Sequence, residues 1–415
     1  MILGLHHFLF MMLALTVTCS PAVSEVPGDA AGNTATPIRV VEIDRGHSWV
    51  SPYWGYNAPK LVFDGRAYYT AGLWGAKPES AEALLYKYEG ATWRKGAQLS
   101  NVYQPITMVV DRAGRLIIAH TEQSAPLRIY RSITPGDIVD LERLPSPPDM
   151  ENAYYISIAI QNEVLFLAYI STPNYSMFLQ ALNLTSLQWT PSRLVCQGQT
   201  EKKPKTAWTY PILYPTEEGL HLVASNSPDG GEGNTYNQVW HLFYVKDAAE
   251  PSVCEMVADS PVGHNAFAMD FLADKQGRCH LLFNWNQHVY GDPLPAGMSE
   301  AGLYYAWRDP ATEKWRETRL GPVSTAGFLE LGEELVVVTA QNGIYRLNSR
   351  EQNSETGTTL WEPDSIAGIP GFIDTLSRAS GSVSPEGVAL VMDSLLPDER
   401  EQSQTRILWS VIPEK

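Results

Sequence analysis

The chain has 415 residues, 44% hydrophobic and 10% aromatic, which is ample for a packed core and too apolar for a disordered chain. Its formal charge of −16, from 46 acidic against 30 basic residues, argues against nucleic acid or an anionic membrane surface as the main partner. The length exceeds an ordinary single domain and leaves two choices, several domains or one closed repeat array.

Residues 1–24 read as a secretion signal. Leu3 to Val17 is an apolar run, and Ala22-Val23-Ser24 is a small-x-small cleavage site before Glu25. The N-terminal end offers His6 and His7 but no Lys or Arg, so an uncleaved N-terminal anchor is the alternative. Cleavage would make the mature chain secreted, periplasmic or extracellular, and no later stretch is long and apolar enough to span a bilayer. Residues 25–36, rich in Gly, Ala, Thr and Pro, form a flexible leader, and residues 37–415 form one domain. Cys196, Cys254 and Cys279 remain after cleavage, so at most one disulfide forms. With no Cys-x-x-Cys, neither a zinc site nor a redox motif is indicated, and all three are expected as small buried hydrophobes.

The first strand is expected at Pro37–Asp44. From there the chain falls into sections of roughly fifty residues, a period that marks a repeat architecture. The sections align on the turns Asp64-Gly65-Arg66, Ala113-Gly114-Arg115, Gln161-Asn162-Glu163, Glu217-Glu218-Gly219, Lys275-Gln276-Gly277, Gly332-Glu333-Glu334 and Pro385-Glu386-Gly387. After each turn comes an apolar second strand, such as LIIAHT or CHLLFNW, and then a third carrying Tyr, Phe or Trp. A fourth begins with Trp in several sections: Trp93 to Leu99, Trp189 to Leu194, Trp315 to Leu320 and Trp361 to Ile366. This rhythm predicts an all-β, single seven-bladed β-propeller, with six blades as the alternative. The seventh section ends after three strands, and the N-terminal strand is expected to complete that last blade and leave no open edge.

In such a ring, the entrances to the first strands and the loops between second and third strands share one face. Two of those loops, Ser225–Gln238 and Gln287–Glu300, are the longest, and they belong to neighbouring sections. The site is therefore expected beside them. Candidate lining residues are Tyr56, Asn57, Tyr155, Trp208, Tyr210, Asn265, Trp285 and Asn286. Aromatic faces next to amides suit sugars, whose C–H faces stack and whose hydroxyls need paired donors and acceptors. His264 and His288 are the candidate general base and acid, since imidazole titrates near neutrality. Arg378 is placed at the start of an inner strand, where a guanidinium could grip a carboxylate. The alternative for each is packing or an internal ion pair. The run from Asp229 to Asn234 could offer oxygens to calcium but lacks a full calcium-loop spacing, so a flexible acidic loop is expected and no metal or cofactor is assigned.

Asp111–Ile138, DRAGRLIIAHTEQSAPLRIYRSITPGDI, resembles the bacterial neuraminidase repeat propellers, in the branch that includes ulvan lyases and similar polysaccharide lyases. The fifth section resembles it again, with His264-Asn265, Asp274-x-x-Gly277-Arg278-x-His280 and Asn286-Gln287-His288. The resemblance implies a glycan-facing monomer, either a lyase acting on a uronate-containing polysaccharide or a non-catalytic module binding carbohydrate or protein. It carries over His264, His288 and a nearby Tyr, without fixing which Tyr. Sialidase hydrolysis is not expected, because Ser227-Pro228-Asp229-Gly230 is only a fragment of an Asp-box and no arginine triad can be assembled.

Overall fold

The computed structural model describes residues 40–50, 53, 59–89, 92–104, 106–122, 125–148, 150, 152–172, 174–199, 201, 205–228, 236–246, 248–260, 264–287, 302–309, 312–321, 325–331, 334–340, 343–347, 355–358, 369–376, 378–382, 388–395 and 404–412. The described residues are all-β apart from two 3-10 turns, Pro78–Ser80 and Arg378–Ser380. The first strand, β1, is Val41–His47, further along the chain than the expected Pro37–Asp44; residues 37–39 lie outside the described residues.

Antiparallel sheets follow in chain order, and the strands of each are consecutive. The first is β2 (Leu61–Phe63), β3 (Tyr68–Trp74), β4 (Glu82–Glu89) and β5 (Thr92–Ser100). The second is β6 (Thr107–Val110), β7 (Leu116–Glu122), β8 (Ala125–Ser132) and β9 (Leu141–Arg143). In the third, β10 (Ala153–Gln161), β11 (Val164–Ser171) and β12 (Ser176–Asn183) are followed by β13 (Gln188–Trp189) and β14 (Arg193–Cys196), both paired to β12. The outer strand expected from Trp189 to Leu194 is split there because Pro191 has no N–H for the ladder. The fourth is β15 (Ala207–Pro215), β16 (Gly219–Ser227), β17 (Gln238–Val245) and β18 (Val253–Asp259). The fifth is β19 (His264–Ala273), β20 (Cys279–Gln287), β21 (Gly302–Asp309) and β22 (Lys314–Gly321).

The sixth is β23 (Ala326–Leu331), β24 (Glu334–Thr339), β25 (Gly343–Leu347) and β26 (Glu355–Thr358). Its outer strand precedes the expected Trp361 to Ile366, which lies outside the described residues. The remaining sheet runs β27 (Ile369–Thr375), β28 (Val388–Leu395), β29 (Gln404–Ile412) and then β1, with Val41 opposite Trp409 and His47 opposite Gln404.

Burial falls from the inner strands outward, which explains the sequence texture. Every residue of β6 is buried, and so are six of the seven in β7, so these strands read as unbroken apolar runs. The outer strands β5 and β22 alternate exposed and half-buried residues, as one-sided strands do. The core lies between neighbouring sheets. Its largest cluster runs from β10 to β24 through Tyr155, Leu222, Phe271 and Val337. Another joins the last sheet to the first, where Trp409 meets Trp93 edge-on at 5.0 Å and Tyr68 at 4.7 Å.

Some of the turns between first and second strands are clipped by aspartates. Asp111 Oδ1 accepts the N–H groups of Ala113 and Arg115, both at 2.9 Å, while Oδ2 takes Arg115 Nε at 2.8 Å. Asp274 repeats the arrangement with Gln276, Arg278 and Arg278 Nε. Gly114 and Gly277 supply the left-handed residue at φ 80° and 75°. The three cysteines are free thiols, and Cys254 is exposed instead of buried because it points outward from the outer strand β18.

Candidate functional site

The end at which the inner strands begin carries an arc of aromatic rings. Trp49 lies 5.4 Å from Tyr103, Tyr103 6.0 Å from Tyr154, and Tyr154 4.2 Å from Tyr155. Tyr155 then lies 4.4 Å from Tyr210, Tyr210 5.4 Å from Phe267, and Phe267 6.1 Å from Tyr236. The Tyr103, Tyr154, Tyr155 and Tyr210 rings thus form one continuous run of contacts.

Two of these tyrosines sit in left-handed backbone, Tyr155 at φ 45° and Tyr210 at φ 48°. Both occupy the extra residues of a bulge, between Tyr154 and Ser157 in β10 and between Thr209 and Ile212 in β15. Such a conformation costs on the order of 1–3 kcal/mol for a bulky residue and persists only where its surroundings hold it. Gln104 Oε1 accepts the Tyr155 N–H at 3.1 Å, and Pro211 follows Tyr210 with no N–H to satisfy. The bulges turn two successive strands so that their phenols converge. Burial holds the Tyr154 and Tyr155 hydroxyls well above the ordinary phenol range, and the neighbouring phenols add to this. Both therefore keep their protons at neutral pH.

The two long loops leave from this same end. His264 pairs with Gln287 and Ala266 with Trp285, so β19 starts where β20 gives way to the loop beyond it. The loop from β16 returns at Tyr236, whose N–H donates to Asn265 Oδ1 at 2.8 Å and whose carbonyl accepts the Ala266 N–H at 2.7 Å. Ser225 Oγ donates to the Ala266 carbonyl at 3.0 Å and accepts the Ala268 N–H at 3.1 Å. The fourth sheet's loop is thus tied to the fifth sheet's inner strand.

The sequence-derived candidates divide unevenly. Tyr155, Tyr210 and Trp208 share one buried cluster, at 5%, 6% and 9% exposure, and Trp285 is a half-buried residue of β20 packed 5.6 Å from Tyr304. Asn265 is buried with its carbonyl committed to the Tyr236 anchor. Tyr56, Asn57, His288 and the run from Asp229 to Asn234 lie outside the described residues, as do the side chains of His264 and Asn286. Arg378 is corrected. It follows the inner strand Ile369–Thr375, in the 3-10 turn leading toward β28, and so stands at the opposite end of the strand from the entrance. The sequence around it lacks the Asp-x-x-Gly clip of the second and fifth turns. Tyr236 and Phe267 also belong to the arc; sequence reasoning missed them, and Tyr236 falls within the long loop Ser225–Gln238 that the site was expected beside.

Deeper between the inner strands a cavity is lined by Ser157, Ile212, Asp270, Gly327, Asp374 and Ala379, among others. Asp270 Oδ2 accepts the Phe328 N–H at 2.7 Å, and Asp374 Oδ2 accepts those of Lys60 and Leu61 at 2.5 and 2.7 Å. Each carboxylate therefore bridges its own inner strand to that of the following sheet. Burial pushes Asp270 up to about 7, aided by Asp374, and pushes Asp374 up as well.

Comparison with solved structures finds likeness in fold. An ulvan lyase, described as a new family of polysaccharide lyase, superposes with a TM-score of 0.61 at 12% identity, over 91% of this chain and 96% of that one. The same type of enzyme bound to -[GlcA(1-4)Rha3S]- gives 0.62 at 12% identity over the same shares. Oligogalacturonate lyase from Vibrio parahaemolyticus gives 0.50 at 11% identity, over 91% of this chain and 99% of that one. No curated protein matches the sequence. Successive four-stranded antiparallel sheets with these neighbours make the fold a β-propeller. A profile described as BNR repeat-containing family member matches residues 86–357, about two thirds of the chain, and the chain belongs to that family.

Proposed function

We propose that the chain is a seven-bladed propeller, closed where β1 completes the last blade beside β29, and that its entrance end binds a polysaccharide. The observation that carries this is the arc of packed tyrosines at the end where β16 and β20 finish, with Tyr155 and Tyr210 held in strained backbone. Strain of that kind collects at sites whose geometry matters. The half-buried rings of Trp49, Tyr103, Tyr154 and Tyr236 offer faces for sugars, while the buried Trp208, Tyr155 and Tyr210 support them from below.

The finer reading is a lyase on a uronate-containing chain, in keeping with the named activities of the ulvan and oligogalacturonate lyases. In such a β-elimination a base removes the C5 proton, the C4–O bond breaks as the C4–C5 double bond forms, and an acid protonates the leaving oxygen. The protonated phenols suit the acid role, with Tyr154 the more accessible and Tyr155 behind it. His264, at the lip of β19, is the candidate base, and His288 the alternative acid. Export through cleavage after Ser24 fits a polysaccharide met outside the cytoplasm, and the N-terminal residue of the exported chain tests it.

The second reading is a non-catalytic glycan-binding module; the place of Arg378 after β27 takes that one residue away from the role of gripping a carboxylate at the entrance. One experiment separates the two. The mature chain is incubated with uronate polysaccharides while ultraviolet absorbance of unsaturated uronate is followed, and binding is measured by calorimetry in parallel. A lyase generates absorbance that falls at least about 100-fold in Tyr154→Phe or His264→Gln. A module binds without turnover and weakens in Tyr154→Ala. Neither turnover nor binding across the panel refutes the glycan reading.

A further inference from the structure

Away from the entrance, the fourth and fifth sheets bring His221, His241 and Cys279 together. His221 lies on β16 two residues after its turn, His241 on β17, and Cys279 is the first residue of β20. All three are buried. His221 Nδ1 is 3.0 Å from His241 Nε2 and 3.9 Å from Cys279 Sγ, and the three donor atoms all lie within 4.8 Å of one another. We propose that this cluster is a zinc site that staples the two sheets.

The donor set suits the ion. Two imidazole nitrogens and a thiolate are borderline-soft ligands of the kind zinc prefers, with a fourth position left for water. A tetrahedral zinc at ordinary bond lengths would separate its ligand atoms by roughly 3.3–3.6 Å. The observed 3.0 and 3.9 Å from His221 Nδ1 bracket that range, and all three donors lie within 4.8 Å of one another, so an ion would draw them into its shell.

The surroundings are arranged as a metal requires. His241 Nδ1 is 3.0 Å from Glu255 Oε1, which makes Nδ1 the N–H donor and leaves the Nε2 lone pair facing into the cluster. A carboxylate behind a ligating imidazole fixes its tautomer and raises its basicity. Arg308 Nε donates to the same Oε1 at 2.9 Å and holds that carboxylate in place. Phe243 and Phe271 pack at 4.4 and 5.2 Å from the His221 ring, and Trp315 at 5.5 Å from the His241 ring, so apolar walls surround the donors. With Nδ1 facing the cluster, His221 would carry its single proton on Nε2, and zinc would take Cys279 as the thiolate. The ligands come from adjacent sheets on rigid strands, and the site is independent of the glycan reading.

The test uses the whole chain, stripped with chelator and titrated with cobalt(II) and then zinc. Cobalt should give tetrahedral visible bands and a thiolate charge-transfer band that saturate at one equivalent and disappear when zinc displaces it. Plasma mass spectrometry should find one zinc per chain, and the melting temperature should rise with zinc. Cys279→Ala and His241→Ala should lose the bands. Glu255→Gln should weaken affinity roughly 10–100-fold through its effect on His241, and Cys254→Ala should change nothing. If the ligand variants fail to fold, saturation in the unaltered chain and the graded effect of Glu255→Gln still decide. No saturable cobalt band, a site that takes copper(I) but not zinc, or a charge-transfer band that survives Cys279→Ala overturns the proposal.

Discussion

Asp374→Ala measures how the inner strands are held together. One carboxylate oxygen accepts two backbone N–H groups, Lys60 at 2.5 Å and Leu61 at 2.7 Å, and ties β27 of the last sheet to the start of β2 in the first. Truncation leaves both donors without that acceptor in a buried seam. Each such donor costs about 1–3 kcal/mol. Burying the carboxylate is itself unfavourable, as its raised titration shows, so its removal recovers part of that cost. The net expectation is a loss of about 2–4 kcal/mol. Asp374→Asn keeps an acceptor oxygen of the same shape without the charge and should restore most of the stability. Urea unfolding followed by tryptophan fluorescence gives the midpoint and slope for each variant. Asp137→Ala, at an exposed turn where one oxygen accepts the Val139 N–H at 2.8 Å, sets the scale for an ordinary side-chain hydrogen bond. A loss in Asp374→Ala no larger than that control, or an Asn variant as damaged as the Ala variant, would refute the seam argument.

Two other carboxylates should give opposite pH signatures. Asp270 titrates higher in the fold than in the unfolded chain, up to about 7 against about 4, so its contribution is complete below about pH 4 and is lost as pH rises toward 7. Asp270→Asn should remove that downward slope, and identical pH profiles for variant and parent would contradict the assignment. Asp274 behaves inversely. Against the upward push of burial, hydrogen bonds from His280 and Arg278 hold its carboxyl well below the usual range, so its contribution is present above about pH 4 and is lost as pH falls further. Asp274→Asn should cost about 1.5–3 kcal/mol at pH 7 and progressively less as pH falls below about 4; a cost independent of pH would show that the charge is immaterial.

The sheet rhythm was legible because it rests on local chemistry. Middle strands such as LIIAHT are buried on every residue since both faces are covered, and a turn with Asp, Gly and Arg announces itself in sequence. Arg378 failed for the same reason in reverse. Its segment follows an inner strand through a 3-10 turn without an aspartate clip, so the alignment slid past Ile369–Thr375. The site was legible only in composition. That Tyr155 and Tyr210 would be left-handed depends on bulges, and a bulge is a property of the pairing between two strands. The His221–His241–Cys279 cluster was hidden more deeply, because its members are dispersed between residues 221 and 279 and meet only when two sheets face each other.

Part of the family resemblance is carried by residues that stand at the end away from the entrance. Asp111 with Arg115 and Asp274 with Arg278 are turn clips: their carboxylates are occupied by backbone N–H groups and by their own arginines, and none faces the entrance. They recur because each repeat must reverse direction within a few residues, whatever the other end does. The entrance obeys different constraints. There the loops differ in length from sheet to sheet, the tyrosines accept backbone strain, and Asn265 is committed to anchoring a neighbouring loop. A propeller built this way fixes its architecture at one end and leaves the other free to vary. A match to the turn clips in such a chain identifies the scaffold, and the ligand must be read from the entrance end.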